Sequence, residues 1–195
     1  MRKIPKQYEN PIDDLLIDLS DKVQPYFYKL GFTPNMITTL SLIICLFSIY
    51  LFKQGSYLIS GILFFVAYFF DCLDGHMART YNMHSKFGDY YDHISDILKL
   101  ILLFYTMYKV NSETLIKTVP YFIFLYTTLA IHMSCQELYH NNKKHDKKSE
   151  SLNLLKHICP ASNNNVDSVI QITKFFGCGT ANLFTMFVII FYNYI

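Results

Sequence analysis

The sequence has almost no net charge and no ordered cysteine spacing. Its 17 lysines and arginines nearly balance 15 aspartates and glutamates, so the formal net charge is only +2. Such a balance provides no basic field for a nucleic-acid partner. The five cysteines form no CxxC pair, and three lie in or beside apolar runs. We therefore expect a reducing compartment, with neither a disulfide framework nor a zinc site. The first 30 residues also lack the basic-then-apolar order of a secretory signal peptide.

Long apolar runs dominate what is present. Hydrophobic residues make up 52% of the chain and lie in blocks. The blocks that predict membrane-spanning helices are 36–52, 57–70, 90–109, 118–135 and 180–195. The segment 166–179 is ambiguous between a short further span and an interfacial helix. We predict an all-α integral membrane protein with a single domain over 1–195, in which 34–195 forms a bundle of about six transmembrane helices.

The residues before the first apolar run alternate apolar and charged side chains at helical spacing. The stretch NPIDDLLIDLSDKVQPYFYKLGF predicts an amphipathic helix within 8–31 that lies in the membrane interface. The alternative is a small soluble cap on the bundle. Thr33 and Pro34 then have the residue types of a helix N-cap and first helical position.

Basic residues are distributed unevenly among the predicted loops. They are numerous before the first span, between the second and third, and after the fourth, whereas the alternate loops carry Lys53 in one case and Lys109 with Lys117 in the other. The positive-inside rule therefore places the N-terminus, the loop after the second span and 138–165 in the cytosol. The lysine-rich stretch 141–157 predicts a solvated connection attracted to anionic lipid headgroups, with nucleotide recruitment as the alternative.

Five aspartates crowd between two apolar runs in FDCLDGHMARTYNMHSKFGDYYDHISDILK, residues 70–99. Asp71 and Asp74 are three residues apart, and Asp92 and Asp96 are four apart, so each pair lies on one helix face. The residues between the pairs are numerous enough to reverse the chain and bring the pairs together. Four converging carboxylates repel one another unless cations intervene. Oxygen ligands suit Mg²⁺ or Mn²⁺, and two such ions suit phosphoryl chemistry.

The aspartates have two alternative interpretations, as helix ends at the membrane surface or as part of an ion pathway. Helix-end aspartates at the membrane surface would account for Asp71 or Asp89. They account poorly for Asp96, which lies a turn deeper and precedes a strongly apolar run. A proton or ion pathway also requires intramembrane carboxylates, so the cluster alone does not separate an enzyme from a transporter.

The residues between the two acidic pairs favour an enzyme. Gly75 and Ala78 remove side-chain bulk beside the first pair, so a flat ligand can approach the backbone closely. Arg79 supplies a planar fork of donors suited to a phosphate. Gly88 permits close helix packing one turn before Asp92.

The stretch 71–96 reads D-x2-D-G-x2-A-R-x8-G-x3-D-x3-D, with all eight fixed positions filled. In this it resembles the signature of the CDP-alcohol phosphotransferase family, membrane enzymes of phospholipid synthesis. The stretch FTPNMITTLSL, residues 32–42, is similar to the family's Pro-Asn-x-x-Thr start of the first membrane helix.

The resemblance implies a reaction in which an alcohol hydroxyl displaces CMP from a CDP-linked lipid or alcohol. It implies two divalent ions, Mg²⁺ or Mn²⁺, held by Asp71, Asp74, Asp92 and Asp96, with Asp96 also acting as the general base. It assigns nucleotide and diphosphate contacts to Pro34, Asn35, Gly75, Ala78, Arg79 and Ser85. Membrane lipids are implied partners, and the resemblance alone allows a homodimer.

The substrate stays open at this point. His93 directly follows Asp92, as in the choline and ethanolamine branch of the family, whereas the loop sequence resembles the inositol and glycerophosphate branch equally well. Asp89 lies outside the fixed pattern and is interpreted as a residue that bridges metals or supports their ligands. Lys99 either contacts a substrate phosphate or pairs with Asp96 three residues before it.

Overall fold

All regular structure in the described part of the chain is helical. The computed structural model describes residues 2, 4–143, 158–161 and 165–195. Its helices are α1 (Pro11–Lys29), α2 (Pro34–Lys53), α3 (Tyr57–Thr80), α4 (Lys86–Val110), α5 (Ser112–Lys143), α6 (Val166–Thr173) and α7 (Cys178–Phe191). Short 3₁₀ turns occupy Lys6–Tyr8 and Lys174–Phe176. The all-α prediction is confirmed.

Four stretches of the described residues are long and apolar enough to cross a membrane. They are Pro34–Lys53, Tyr57–Thr80, Ser112–Tyr139 and Val166–Phe191. The prediction of an integral membrane protein is thereby confirmed. The ambiguous segment 166–179 falls within the last of these stretches, which is apolar enough as a whole to cross a membrane. Helix α4 has 25 residues, enough for a span, but it carries the charged side chains of the aspartate motif.

The described residues group into two compact units. The first contains Leu15–Pro120 and Asn182–Ile195, and the second contains Arg2–Asp14 and Tyr121–Ala181. The single domain over 1–195 stays a prediction. Most of the lysine-rich stretch 141–157 lies outside the described residues, and so does the prediction made for it.

In the first unit, α2 and α3 form an antiparallel pair joined by a tight turn. Gly55 adopts a φ of +81°, and the amide of Ser56 donates to the carbonyl of Leu51, which gives a Schellman end to α2. Ser48 and Ser60 exchange hydrogen bonds across the pair, each hydroxyl donating to the other residue's carbonyl at 2.8 Å. Small hydroxyl residues let membrane helices approach closely and hydrogen-bond to each other. Because the two helices are antiparallel, the start of α2 lies beside the end of α3.

Helix α1 has two distinct faces. Leu16, Ser20 and Gln24 are buried at intervals of four residues. Leu15 and Leu19 are 67% and 44% exposed. The amphipathic helix predicted within 8–31 is therefore present, with an uncovered apolar row of the kind that an interfacial helix requires. Its position in the membrane interface stays a prediction.

A disulfide in the second unit corrects the expectation of unpaired cysteines. Cys135 and Cys159 are bonded at 2.03 Å, with their Cα atoms 4.9 Å apart. Both are buried in a cluster with Ile4, Tyr8 and Ile170. The prediction was wrong because cysteines 24 positions apart carry no spacing signal, and only the fold brings them together.

Candidate active site

The aspartate motif forms a helical hairpin in the first unit. Helix α3 continues past its apolar run to Thr80, and α4 begins at Lys86. Asn82 adopts a φ of +54° in the turn, a conformation that asparagine tolerates better than most residues. Ser85 caps α4, since its side-chain oxygen accepts a hydrogen bond from the amide of Gly88 at 2.9 Å. The two acidic pairs therefore face each other, as the sequence predicts.

Three of the four predicted metal-binding aspartates converge. Asp71, Asp74 and Asp92 each offer one carboxylate oxygen, and these oxygens lie within 4.8 Å of one another. Asp74 is only 4% exposed. Oδ1 of Asp92 is buried and has no hydrogen-bond partner within the described part of the chain. A buried carboxylate oxygen without a donor is costly, so this cluster fits a divalent cation with a preference for oxygen ligands.

Helix α2 restrains one member of the cluster. The hydroxyl of Thr38 donates a hydrogen bond to Oδ2 of Asp74 at 2.5 Å, and both residues are buried. The same hydroxyl lies 3.2 Å from the carbonyl of Pro34. The shorter contact to a charged acceptor is the stronger one, so Thr38 fixes the Asp74 carboxylate.

Asp96 is not one of the three residues whose oxygens lie within 4.8 Å of one another, and it contacts Lys99. The Lys99 ammonium lies 3.0 Å from Oδ1 of Asp96 and 2.6 Å from Oδ1 of Asp71. It also donates to the hydroxyl of Ser41 at 3.0 Å. The ion pair between Lys99 and Asp96, one of the two predicted alternatives for Lys99, is present in the structure. The Asp96 side chain is 46% exposed, so a second molecule can reach its carboxylate.

Two of the predicted nucleotide-binding residues meet at Gly88. A Cβ atom at position 88 would lie 2.8 Å from Oδ1 of Asn35 and 3.0 Å from Oγ of Ser85. Pro34 is the first residue of α2, and the Thr33 side chain accepts a hydrogen bond from the amide of Met36, so the predicted cap is confirmed. Glycine at position 88 therefore lets the starts of α2 and α4 touch.

The other predicted phosphate contacts lie on the last turns of α3. The Arg79 guanidinium lies over Gly75, where an added Cβ would be 3.3 Å from Nη1 of Arg79. Ala78 is partly buried beside it. The arginine fork is thus on the same helix as Asp71 and Asp74, one to two turns beyond them.

Asp89 and His93 do not join the three-carboxylate cluster. Nδ1 of His93 donates to the backbone carbonyl of Asp89 at 2.8 Å, one helical turn away. Asp89 is exposed in the first turn of α4, where a negative charge is favourable. Their roles at the site stay predictions.

Sequence reasoning missed the supporting residues. Thr38 and Ser41 are three apart on α2 and both contact the acidic hairpin, through Asp74 and Lys99. Nε2 of the buried His76 lies 2.7 Å from Oδ1 of Asp21 on α1. Hydroxyl residues on one face of an apolar helix were the available signal for the first two. No pattern in the sequence pairs His76 with Asp21.

Comparison with known proteins agrees with this geometry. A sequence model described as CDP-alcohol phosphatidyltransferase matches residues 32–193, which include the whole hairpin and the start of α2. The chain is also similar to an archaetidylinositol phosphate synthase from Pyrococcus horikoshii, with 39% identity over 70 residues. That alignment covers 36% of this chain and 37% of the relative's length. The match over most of the chain shows that this protein belongs to the CDP-alcohol phosphatidyltransferase family.

Proposed function

We propose that the protein is a phospholipid-synthesis transferase that uses an alcohol hydroxyl to displace CMP from a CDP-linked substrate and forms a phosphodiester lipid. The observation that carries the proposal is the convergence of Asp71, Asp74 and Asp92 within 4.8 Å, with Asp96 one turn further along α4. Family membership supports the same reaction class.

Asp71, Asp74, Asp92 and Asp96 would hold two divalent ions, with the first three offering oxygens within 4.8 Å of one another. The orphan oxygen of Asp92 and the all-carboxylate donor set support Mg²⁺ or Mn²⁺ over softer metals. When bound, such ions supply charge neutralisation for the diphosphate and for the departing CMP. Thr38 keeps the Asp74 carboxylate in place for this role.

Asp96 serves as the general base. Its half-exposed carboxylate takes the proton of the attacking hydroxyl as the alcohol oxygen bonds to phosphorus and the bond from phosphorus to CMP breaks. Lys99 engages Oδ1 of Asp96, and the 46% exposure of this side chain lets the incoming hydroxyl reach the carboxylate.

The starts of α2 and α4 and the end of α3 receive the nucleotide and its diphosphate. Asn35 and Ser85, which meet at Gly88, contact the nucleotide side, with Pro34 setting the start of α2. Arg79 contacts phosphate oxygens above Gly75, and Ala78 leaves room beside it. These assignments rest on the resemblance together with the observed proximity of the residues.

The acceptor is proposed to be a polar alcohol that attacks a CDP-linked lipid. The relative's name specifies an archaetidylinositol phosphate product, which supports transfer of a lipid phosphate to an inositol phosphate rather than transfer of an amino alcohol to diacylglycerol. The choline and ethanolamine alternative rests in part on His93, whose Nδ1 donates to the Asp89 carbonyl.

The site is proposed to face the cytosol. Arg79 and Lys86 flank the turn of the hairpin, in agreement with the positive-inside rule. The Cys135–Cys159 disulfide opposes this orientation, because disulfides are rare in the cytosol and 138–165 is predicted to share the same side. Labelling of a single reporter cysteine at His84 or at Ser56 in sealed vesicles tests it, since the proposal requires opposite accessibility.

The activity is tested with purified protein in lipid and two substrate panels. One panel offers CDP-diacylglycerol with inositol phosphate, inositol, glycerol phosphate or serine. The other offers CDP-choline or CDP-ethanolamine with diacylglycerol. We expect CMP release in the first panel, dependent on Mg²⁺ or Mn²⁺ and lost with a chelator. CMP release in the second panel alone would overturn the proposal that CDP is attached to the lipid substrate. CMP release in neither panel would overturn the proposed enzymatic activity.

A further inference from the structure

Lys99 is an unusual cation because all of its donor capacity is used inside the protein. An ammonium group has three N–H donors and no acceptor. Its three partners come from three helices, namely Ser41 on α2, Asp71 on α3 and Asp96 on α4. The Lys99 side chain is only 11% exposed. No donor remains for a substrate phosphate.

Ser41 is oriented to accept from this lysine. Its side chain is completely buried, and its hydroxyl donates to the carbonyl of Ala67 at 2.8 Å. Because that bond uses the single hydroxyl proton, the lone pairs are left for Lys99. The backbone of α3 therefore orients Ser41, and Ser41 in turn fixes the ammonium position.

We propose that Lys99 is a positioning residue that holds the Asp71 and Asp96 carboxylates at a fixed separation and does not touch the substrate. The assignment of these two carboxylates as metal ligand and base rests on the proposed function. Lys99 takes Oδ1 of each residue, so each carboxylate can offer its second oxygen elsewhere.

The geometry explains why a lysine is suited to this position. Asp71 and Asp96 stand on different helices and carry the same charge, so without a cation between them they repel and turn away from each other. An ammonium is a compact charge whose donors can point to three separate acceptors, whereas a guanidinium is planar and favours paired acceptors on one side. Arginine at position 99 would keep the positive charge but would not reach the three separate acceptors in the same way.

Metal binding distinguishes a positioning role of Lys99 from a purely electrostatic one, because the two roles change the affinity for a divalent cation in opposite directions. If Lys99 only contributed a positive charge beside the carboxylates, removing it would strengthen the binding of a divalent cation. If Lys99 positions Asp71, removing it weakens binding, because outer partners of metal ligands typically contribute about tenfold or more to affinity or activity. The sign of the change therefore separates the two roles.

The test compares Lys99→Met and Lys99→Arg with Lys109→Met in the full-length protein in lipid. Lys109 lies in the last turn of the same helix, with its ammonium 5.6 Å from the ring centre of Tyr105, so it is a matched control. Binding of Mn²⁺ alone is measured by calorimetry and by electron paramagnetic resonance. CMP release is measured at varied CDP-diacylglycerol concentration to separate kcat from KM.

For Lys99→Met we expect the Mn²⁺ dissociation constant to rise about tenfold, and kcat to fall about a hundredfold while KM stays within about threefold. Lys99→Arg should resemble Lys99→Met, and Lys109→Met should resemble the unmodified protein. Unchanged or tighter Mn²⁺ binding in Lys99→Met would overturn the proposal. So would a large rise in KM at constant kcat, because that result means substrate contact.

Ser41→Ala keeps the proposal testable if Lys99→Met does not fold. It removes one acceptor and leaves every charge in place, so we expect about threefold weaker Mn²⁺ binding. Binding equal to that of the unmodified protein would overturn the proposal. Should the unmodified protein release no CMP with any substrate, the proposed function fails, while the Mn²⁺ measurements still decide the role of Lys99.

Discussion

The hydroxyl of Thr38 donates a 2.5 Å hydrogen bond to Oδ2 of Asp74 from one membrane helix to the next. Thr38 is 3% exposed and Asp74 is 4% exposed, so water does not compete for this bond. A charged acceptor in a buried place gains more from a hydrogen bond than an exposed one does. The bond therefore couples the position of α2 to the geometry of the acidic cluster on α3.

Replacing Thr38 with valine is expected to weaken binding of Mn²⁺ about tenfold and to lower CMP release by a similar factor. Valine keeps the shape of threonine but leaves Asp74 without its donor. Thr106→Val is the matched control, since Thr106 is also buried but its hydroxyl donates to the Leu102 carbonyl of its own helix, α4. Equal Mn²⁺ affinity in the two variants would contradict a supporting role for Thr38.

Asp96→Asn is expected to reduce CMP release at least a hundredfold, because an amide cannot take the proton of the attacking alcohol. The protein should still insert in the membrane and elute as the unmodified protein does. Glu113→Gln, which neutralises an exposed carboxylate paired with Lys117 in α5, serves as the control. Full activity of Asp96→Asn would remove Asp96 from the role of base.

Gly88→Ala is expected to raise KM for the CDP-linked substrate about tenfold with a smaller change in kcat. The new methyl group would press on Asn35 and on the Ser85 cap, where the distances are 2.8 and 3.0 Å. Gly61→Ala gives a useful contrast. Its Cβ would lie 2.5 Å from Cγ1 of Ile190, so it should lower thermal stability without a specific effect on KM. A stability loss at Gly88 without any change in KM would indicate a packing role alone.

Loss of the disulfide is expected to lower the free energy of unfolding by about 2–4 kcal/mol, since Cys135 and Cys159 close a loop 24 residues apart in sequence. The measurement is the thermal midpoint with and without dithiothreitol. The unmodified protein should lose stability on reduction, whereas a Cys135→Ser and Cys159→Ser double variant should start lower and not respond. An unmodified protein insensitive to reductant would contradict a stabilising disulfide.

Much of the site could be predicted from sequence because its signals are local. Asp71 with Asp74, and Asp92 with Asp96, share helix faces through spacings of three and four residues. Thr33 as the cap of α2 follows equally from residue type and position. The disulfide and the bond between His76 and Asp21 have no such signal, since their partners are 24 and 55 positions apart.

The four aspartates of the motif also combine features that are local in sequence with features that depend on helix packing. Their identity and pairing follow from the sequence, whereas the distances among their carboxylate oxygens do not. Asp71, Asp74 and Asp92 converge, and Lys99 joins Asp71 to Asp96 through one oxygen of each. Side-chain direction at a helix hairpin depends on which cation or hydroxyl the neighbouring helices supply, and α2 supplies them here through Thr38 and Ser41.

The sequence by itself determined the helical membrane architecture and the acidic hairpin, because apolar run length and helical spacing are properties of consecutive residues. The reaction class is implied by the resemblance of the motif to the family signature. Only the tertiary structure decided which oxygens meet, that Lys99 is saturated by three acceptors, and that two distant cysteines bond. Those relationships join residues on separate helices, and their geometry depends on how the helices pack.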